Sequence, residues 1–215
     1  MRYLAWIFCF LLIGCTSEIK KIYYQLPMTS SLVTKKSDFL TQKQLWVQTV
    51  QLSGILATNG ITYQTSDVNY VNASNHLWAS PLEQQLMQNL VNQLSISLPN
   101  RLVSAQQIEN RPDSLNVILI AFHGRYDGKV IIQGNWIYKS DKGIIKQDFS
   151  LLLDQDENGY SALVRRLGRG WAQIGKSIAR QLSIEYVKYL HIQQLDNRNR
   201  FKKKDLVLKP TSILK

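Results

Sequence analysis

The chain has 215 residues, of which 45% are hydrophobic, with 26 lysines and arginines against 15 acidic residues. This composition is typical of one globular domain with a substantial core, and it excludes a disordered chain, a collagen and a coiled coil. The formal net charge of +11 predicts a basic surface, which suits anionic lipid, an acidic partner or nucleic acid without choosing between them.

The N-terminus has the pattern of a bacterial lipoprotein signal peptide. Arg2 precedes an apolar run over residues 3–13, which is shorter than the roughly 20 residues that a membrane-spanning helix needs. Leu12-Ile13-Gly14-Cys15 then matches a lipobox, in which the small residue permits cleavage and the Cys thiol carries the lipid. We therefore expect lipidation at Cys15; an ordinary signal peptide with an incidental Cys is the alternative.

Cysteine usage limits what else can be attached to the chain. The sequence contains only Cys9 and Cys15, and cleavage before Cys15 would remove Cys9. The mature chain is therefore predicted to have no disulfide and to need no cofactor beyond the covalent lipid on Cys15. Two or more acyl chains on one Cys form a firm membrane anchor.

Short strands are predicted to alternate with longer segments after the anchor. The expected strands cover residues 23–26, 45–52, 61–64, 67–71, 115–122, 129–138 and 144–154. Asp127-Gly128 and the turn at 141–143 join the last three, which predicts an antiparallel meander.

Two amphipathic helices are predicted from stripes of apolar side chains. The first stripe consists of Leu82, Leu86, Leu90, Leu94 and Leu98. Ser80, Pro81 and Glu83 suggest a capping-box start, and Pro99 ends this helix. The second stripe, over residues 160–190, consists of Leu163, Leu167, Trp171, Ile174, Ile178, Leu182 and Tyr186. Each helix should bury its stripe against the sheet.

The predicted fold class is α+β: a single domain with a largely antiparallel sheet and two long amphipathic helices packed on it. Residues 1–14 are the expected lipoprotein signal peptide, and residues 15–192 form the expected domain. Residues 193–215 make a basic tail, which is expected to be flexible because it lacks hydrophobic periodicity.

One segment imitates a nucleotide-binding motif. Gly170-Trp171-Ala172-Gln173-Ile174-Gly175-Lys176-Ser177 matches the phosphate-loop pattern GxxxxGK[ST]. That motif works where a strand enters the loop, whereas Trp171 and Ile174 here continue a helical stripe. We therefore predict two glycines in a packed helix, which would allow a close approach to the sheet.

The remaining polar groups indicate no active site. His76, His123 and His191 are scattered, without partners at metal-ligand spacing. His123 stands beside a hairpin turn and is predicted to be structural, and the acidic trio within 154–157 is predicted to be a solvated turn. No alternation of basic and stacking residues indicates a nucleic-acid partner. We expect no enzyme and no metal site.

Residues 71–78 are predicted to form an exposed connection into the first helix. Asn75 and His76 carry polar groups that could bond a partner, and Trp78 is a residue type enriched at interfaces. These three residues are the candidate partner-binding site. The alternative is that Trp78 packs inward, just before the cap at Ser80.

Three separated blocks resemble one family. They are Tyr23-Tyr24-Gln25-Leu26-Pro27, Ala73-Ser74-Asn75-His76-Leu77-Trp78-Ala79-Ser80-Pro81-Leu82 and Phe122-His123-Gly124-Arg125-Tyr126-Asp127-Gly128. In this order they resemble the PqiC/YmbA family of ABC-type transport auxiliary lipoproteins, of the paraquat-inducible Pqi intermembrane transport system. The resemblance covers residues 15–190, and the basic tail lies beyond it.

The resemblance implies a part in moving lipid between the inner and outer membranes. Its expected partners are a PqiA-like membrane protein and a PqiB-like protein of stacked MCE domains. The chain would sit on the periplasmic face of the outer membrane and dock the far end of that tunnel. Thr16 after the Cys agrees with outer-membrane sorting. A module that itself carries a lipid is the alternative, and the sequence leaves homo-oligomerisation open.

Overall fold

The computed structural model describes residues 20–28 and 43–207, with side chains up to Ile184. Cys15 lies outside the described residues, as do the signal peptide and residues 208–215. The elements in chain order are β1 (Ile22–Tyr24), β2 (Leu45–Leu52), β3 (Gly60–Gln64), β4 (Tyr70–Trp78), α1 (Leu82–Ser97), β5 (Val103–Ser104), β6 (Asp113–Arg125), β7 (Lys129–Ser140), β8 (Gly143–Asp154) and α2 (Tyr160–Val207).

The sheet is organised around β6. Along one edge β6 pairs antiparallel with β7, which pairs antiparallel with β8, so the predicted meander is confirmed. Two strands share the other edge, both parallel to β6: β2 pairs with residues 113–119 and β3 with residues 124–125. β5 lies beyond β2, while β4 and then β1 lie beyond β3. The described residues thus form one eight-stranded mixed sheet.

Both helices cover the same face of this sheet, which confirms the predicted single α+β domain. The alternate residues of β6 and β7 that face the helices are buried, as are the apolar stripes of α1 and α2. Trp171 lies at the centre of this layer, 2% exposed, and its indole N–H donates to the carbonyl of Leu86 at 3.0 Å. Burial of these apolar side chains is the main driving force for the fold.

The glycines of the phosphate-loop look-alike lie inside α2, as predicted, and permit close packing. A Cβ on Gly170 would lie 2.4 Å from the side chain of Ile132 on β7. A Cβ on Gly175 would lie 2.8 Å from the side chain of Gln93 on α1. Gly170 therefore brings α2 close to the sheet, and Gly175 brings it close to the other helix.

The structure corrects the predicted start of the first helix. Pro81 occupies the N-cap position of α1 and makes no side-chain capping bond, so the capping box of Ser80 and Glu83 is wrong. Instead, the buried side-chain amide of Gln85 links the start of α1 to the residue before the N-cap and to the segment after β1. Gln85 donates to the carbonyl of Ser80 at 2.8 Å and accepts from the backbone N–H of Leu26, also at 2.8 Å.

Two other boundaries differ from the prediction. Residues 71–78 are not a connection but belong to β4, because β3 pairs with one edge of this segment and β1 with the other. The second helix does not end near residue 190 but continues to Val207. Lysines and arginines with good helix propensity are common in that last stretch, although apolar periodicity is missing.

Candidate docking surface at the β1–β4 edge

The predicted partner-binding residues lie in an irregular part of β4. Thr62 pairs with Asn72 and Gly60 pairs with Leu77, so β4 has three more residues than β3 over this stretch. Such a bulge re-aims side chains and bends the strand. A Cβ at Gly60 would come within 2.4 Å of the carbonyl oxygen of Ala73, so this close approach requires glycine. Asn75 and His76 are both half-buried in the bulge.

His76 belongs to an aromatic cluster that joins three elements. Its ring stacks on Tyr160 at the start of α2, with 3.9 Å between ring centroids and 16° between planes. Its Nδ1 lies 2.9 Å from the hydroxyl of Tyr24 on β1. Burial, together with the nearby Tyr24 and Tyr63, raises the pKa of Tyr160, so its hydroxyl stays protonated at neutral pH. The cluster fixes β1 and β4 against the helix start.

A half-open cleft of about 290 Å³ adjoins this cluster. It is lined by Tyr63, Gly128, Gln155, Asn158, Gly159, Tyr160 and Leu163. Two of its polar groups already have internal partners. The hydroxyl of Tyr63 donates to the carbonyl of Arg125 at 2.7 Å, and the side-chain amide of Gln155 donates to the carbonyl of Glu157 at 2.8 Å. The lining contains no charged side chain, so it suits contact with a neutral group rather than acid–base chemistry.

Trp78 faces the core rather than a partner. It is 6% exposed and its ring lies 6.5 Å from that of Phe122. Trp78 therefore packs inward, which was the alternative for this residue. Its interpretation as a partner contact is wrong for this structure. Partner binding by Asn75 and His76 stays a prediction.

Other apolar side chains of β1, of β4 and of the turn before β4 are exposed instead. Tyr23 is 61% exposed and Val68 is 74% exposed, and Ile22, Tyr70 and Val71 are exposed as well. We call this set, with β1 and β4, the β1–β4 edge. Exposed apolar side chains along the last strands at one end of a sheet make that end a candidate for contact with a partner.

His76 could be singled out from the sequence, but its neighbours in the cluster could not. Tyr24 and Tyr160 stand more than 130 positions apart, and only the fold brings them to the same histidine. Tyr24 lies in the first of the blocks that resemble a known family, which was the one available signal. Nothing local distinguishes Tyr160 from any aromatic residue near a helix start.

The described residues contain no cluster of three or more side chains suited to hold a metal ion. His123 is 3% exposed, and its Nδ1 lies 3.0 Å from the carbonyl oxygen of Gly124. Burial, and to a lesser degree Arg125, lowers its pKa, so the ring is neutral at pH 7.

The acidic trio forms ion pairs. Asp154 pairs with Lys129 at 2.8 Å, and Glu157 pairs with Arg165 at 3.0 Å. Asp156 lies 3.4 Å from Arg166. These carboxylates hold the start of α2 and the end of β8, as expected for a solvated turn.

The chain matches a family model described as the ABC-type transport auxiliary lipoprotein component over residues 24–179. It is 44% identical over 182 residues to the intermembrane transport lipoprotein PqiC of Escherichia coli K12, covering 84% of this chain and 97% of that protein. The match to PqiC of Shigella flexneri has the same identity and coverage.

Two crystal structures have a similar fold. An uncharacterised protein, 45% identical in sequence, superposes with a TM-score of 0.69. The superposition covers 76% of this chain and 99% of that protein's chain. A Xanthomonas campestris protein superposes with a TM-score of 0.62 at 14% identity, over 79% of this chain and 99% of that protein's chain. At this identity the likeness supports the fold alone.

No helix among the described residues is both long enough and apolar enough to cross a membrane.

Proposed function

Because the chain belongs to the family of ABC-type transport auxiliary lipoproteins, we propose that it is the outer-membrane lipoprotein subunit of an MCE-type, PqiABC-like lipid transport system. In this role it is held by lipid on Cys15 at the periplasmic face of the outer membrane. It docks the end of a tunnel built by a PqiB-like partner and supports membrane integrity. It acts by position and contact, without catalysis.

The observation that carries this proposal is the 44% identity to a protein named as an intermembrane transport lipoprotein, over 97% of that protein's length. A match of this extent includes the whole domain rather than a shared module. A docking subunit needs a rigid body and an exposed contact surface, which the buried core and the β1–β4 edge provide.

The position of β1 connects the anchor to this surface. Ile22 follows Cys15 by seven positions, which limits the distance between them to roughly 25 Å even if the segment is fully extended. A body held this way keeps β1 near the bilayer. The β1–β4 edge then lies where the tunnel of a partner would meet the membrane.

The alternative, a module that itself carries a lipid, has less support from the cleft. At about 290 Å³ the cleft is at the lower end of pockets for small organic molecules. A phospholipid with two acyl chains is larger than such ligands. Mass spectrometry of purified protein without its covalent anchor separates the two functions, because only a carrier holds a stoichiometric lipid.

Affinity capture from membranes tests the docking function. Tagged wild-type chain should retain the MCE-domain partner, and Tyr23→Asp with Val71→Asp should lose it, because both side chains are exposed on the β1–β4 edge. The matched control is Ile144→Asp with Leu152→Asp, two similarly exposed side chains on β8. Equal melting temperatures would show that all variants fold.

One result would contradict the docking function, and another would contradict only the choice of surface. If the wild-type chain retains no MCE-domain protein, the docking function is wrong. If the β8 variant loses the partner while the Tyr23 and Val71 variant keeps it, the docking function stands, but the contact surface includes β8 at the opposite edge of the sheet.

A further inference from the structure

A basic stripe runs along the outer side of α2. It consists of Arg165, Arg169, Lys176 and Arg180, all of which are exposed. At about 100° per residue these four side chains fall within about 60° of the helix circumference, and they extend over roughly 22 Å of its length. Charges distributed evenly around a helix would not align along one side in this way.

The stripe points directly away from the sheet. The buried residues Leu167, Trp171 and Ile178 are centred on the opposite side of the helix, half a turn away. Residues 160–184 contain no aspartate or glutamate, although acidic side chains near a helix start interact favourably with its dipole. Only cations and neutral groups therefore occupy the outer face of this helix over that range.

The charges of the stripe are only partly balanced. Arg165 pairs with Glu157 at 3.0 Å, and Arg169 is 3.9 Å from Asp156, both before the helix start. Among the described side chains, no carboxylate forms an ion pair with Lys176 or Arg180. The second half of the stripe thus presents uncompensated positive charge to the surroundings.

The N-terminal segment runs beside the start of this helix. The ring of Tyr24 lies 6.3 Å from that of Tyr160, and a Cβ on Gly168 would lie 2.7 Å from the ring of Pro27. Residues 24–27 therefore pack along the first turns of α2. The tether of roughly 25 Å from Cys15 to Ile22 ends next to the same turns, so acylation would hold the stripe close to lipid headgroups.

We propose that the basic stripe of α2 binds the surface of a membrane that contains anionic phospholipids. The contact rests on the proposed membrane anchoring for its geometry, but it does not depend on the MCE-domain partner. It orients the domain, so that α2 faces the bilayer and the helix-free side of the sheet faces away. A covalent lipid alone would leave the body free to rotate on its tether.

An acidic protein could also bind a row of cations. The tether favours lipid, because it keeps the stripe next to headgroups at a high effective concentration, whereas a protein partner must be recruited from solution. Each lysine or arginine close to an anionic surface strengthens binding roughly fivefold at moderate ionic strength.

Vesicle co-sedimentation tests the proposal on chain 16–215, which lacks acylation and retains every described residue. The wild-type chain should sediment with vesicles of phosphatidylethanolamine and phosphatidylglycerol, less so in high salt, and hardly at all with phosphatidylcholine vesicles. Lys176→Gln with Arg180→Gln should weaken this binding roughly thirtyfold. The control is Lys139→Gln with Lys146→Gln, two exposed lysines on the helix-free face of the sheet.

Binding by the control close to wild type, with loss by the stripe variant, supports the proposal. Equal loss in both variants means that only net charge matters, and it overturns the proposal, as does wild-type binding that ignores lipid charge. Normal vesicle binding by the stripe variant with loss of the MCE-domain partner in affinity capture also overturns it, because the stripe is then a protein contact. Loss of vesicle binding with intact capture leaves the docking function standing.

Discussion

Trp78 is a core residue at the end of a strand whose other side chains are exposed or half-buried. It is 6% exposed and packs with Phe122 inside the main apolar cluster. Trp78→Ala should therefore lower the free energy of unfolding by about 3–5 kcal/mol, since it leaves a cavity that its neighbours fill only in part. Urea unfolding followed by circular dichroism measures this change.

Tyr23 supplies the control for that measurement, because it is 61% exposed on β1. Tyr23→Ala should change the free energy of unfolding by no more than about 0.5 kcal/mol. If Trp78→Ala were as mild as the control, Trp78 would be a surface side chain in solution and its role as a partner contact would be open again.

His123 should make stability depend on pH. Burial lowers its pKa in the folded state from the ordinary value of 6.5, so below that value the unfolded chain binds a proton that the folded chain does not. The contribution of His123 to stability is complete above pH 6.5 and declines as the pH falls from there towards the folded-state pKa. Melting curves on both sides of pH 6.5 should show this decline.

The variant His123→Gln isolates this residue, because glutamine keeps polar atoms and does not titrate. It should flatten the pH dependence of the melting temperature just below 6.5, whatever its stability at higher pH. An unchanged slope would mean that other groups cause the decline and that His123 binds its proton equally in the folded and the unfolded chain.

At the scale of elements, α1 and α2 pack closely because Gly175 lies against Gln93. Gly175→Val should force the helices apart and lower the free energy of unfolding by about 1–3 kcal/mol. Its neighbour Lys176 is exposed, so Lys176→Ala should change stability by less than about 0.5 kcal/mol. Thermal melts of the two variants make the comparison.

The Lys176→Ala variant also tests whether the phosphate-loop look-alike binds a nucleotide. Calorimetry with ATP and magnesium should detect no binding to the wild-type chain or to Lys176→Ala. Micromolar binding that the lysine variant loses would show that α2 unwinds around Gly170 and Gly175 to form a nucleotide site.

Elements with a strong local pattern were predictable from the sequence. Strand β2 and the buried stripes of α1 and α2 follow directly from apolar spacing. Residues 72–78 of β4 were missed, because the bulge destroys the alternation of apolar and polar residues. The parallel pairing of β2 and β3 with β6 was not predictable either, since partners in a parallel sheet carry no local signal.

At the scale of the whole molecule, the proposed lipidation of Cys15 would decide where the domain acts. Cys15→Ala should leave a full-length precursor that is neither acylated nor cleaved at the lipobox, because the thiol that accepts the lipid is gone. Labelling cells with a fatty-acid probe, followed by immunoprecipitation, measures the modification. Equal label on the variant and the wild type would mean that another residue carries the lipid.

The functional regions differ in how far the sequence predicted them. The lipidation motif is contiguous, so four adjacent residues were enough to propose Cys15. The β1–β4 edge adjoins an aromatic cluster of residues as distant in the chain as Tyr24, His76 and Tyr160, which no spacing rule connects. Its exposed apolar side chains become visible only when burial is known for every residue.

The shared edge of β6 also determines when the chain can fold. β2 must wait for a strand whose pairing residues begin 68 positions later, since Leu45 pairs with Asp113. The core then closes only when Trp171 reaches Leu86, 85 positions earlier in the chain. Such distant contacts slow folding, because loops must close before any packing compensates for their entropy. A chain that emerges N-terminus first therefore keeps most of β2 unpaired until β6 has arrived, and its core stays open until α2 has arrived. A factor that protects exposed strands has that interval in which to act.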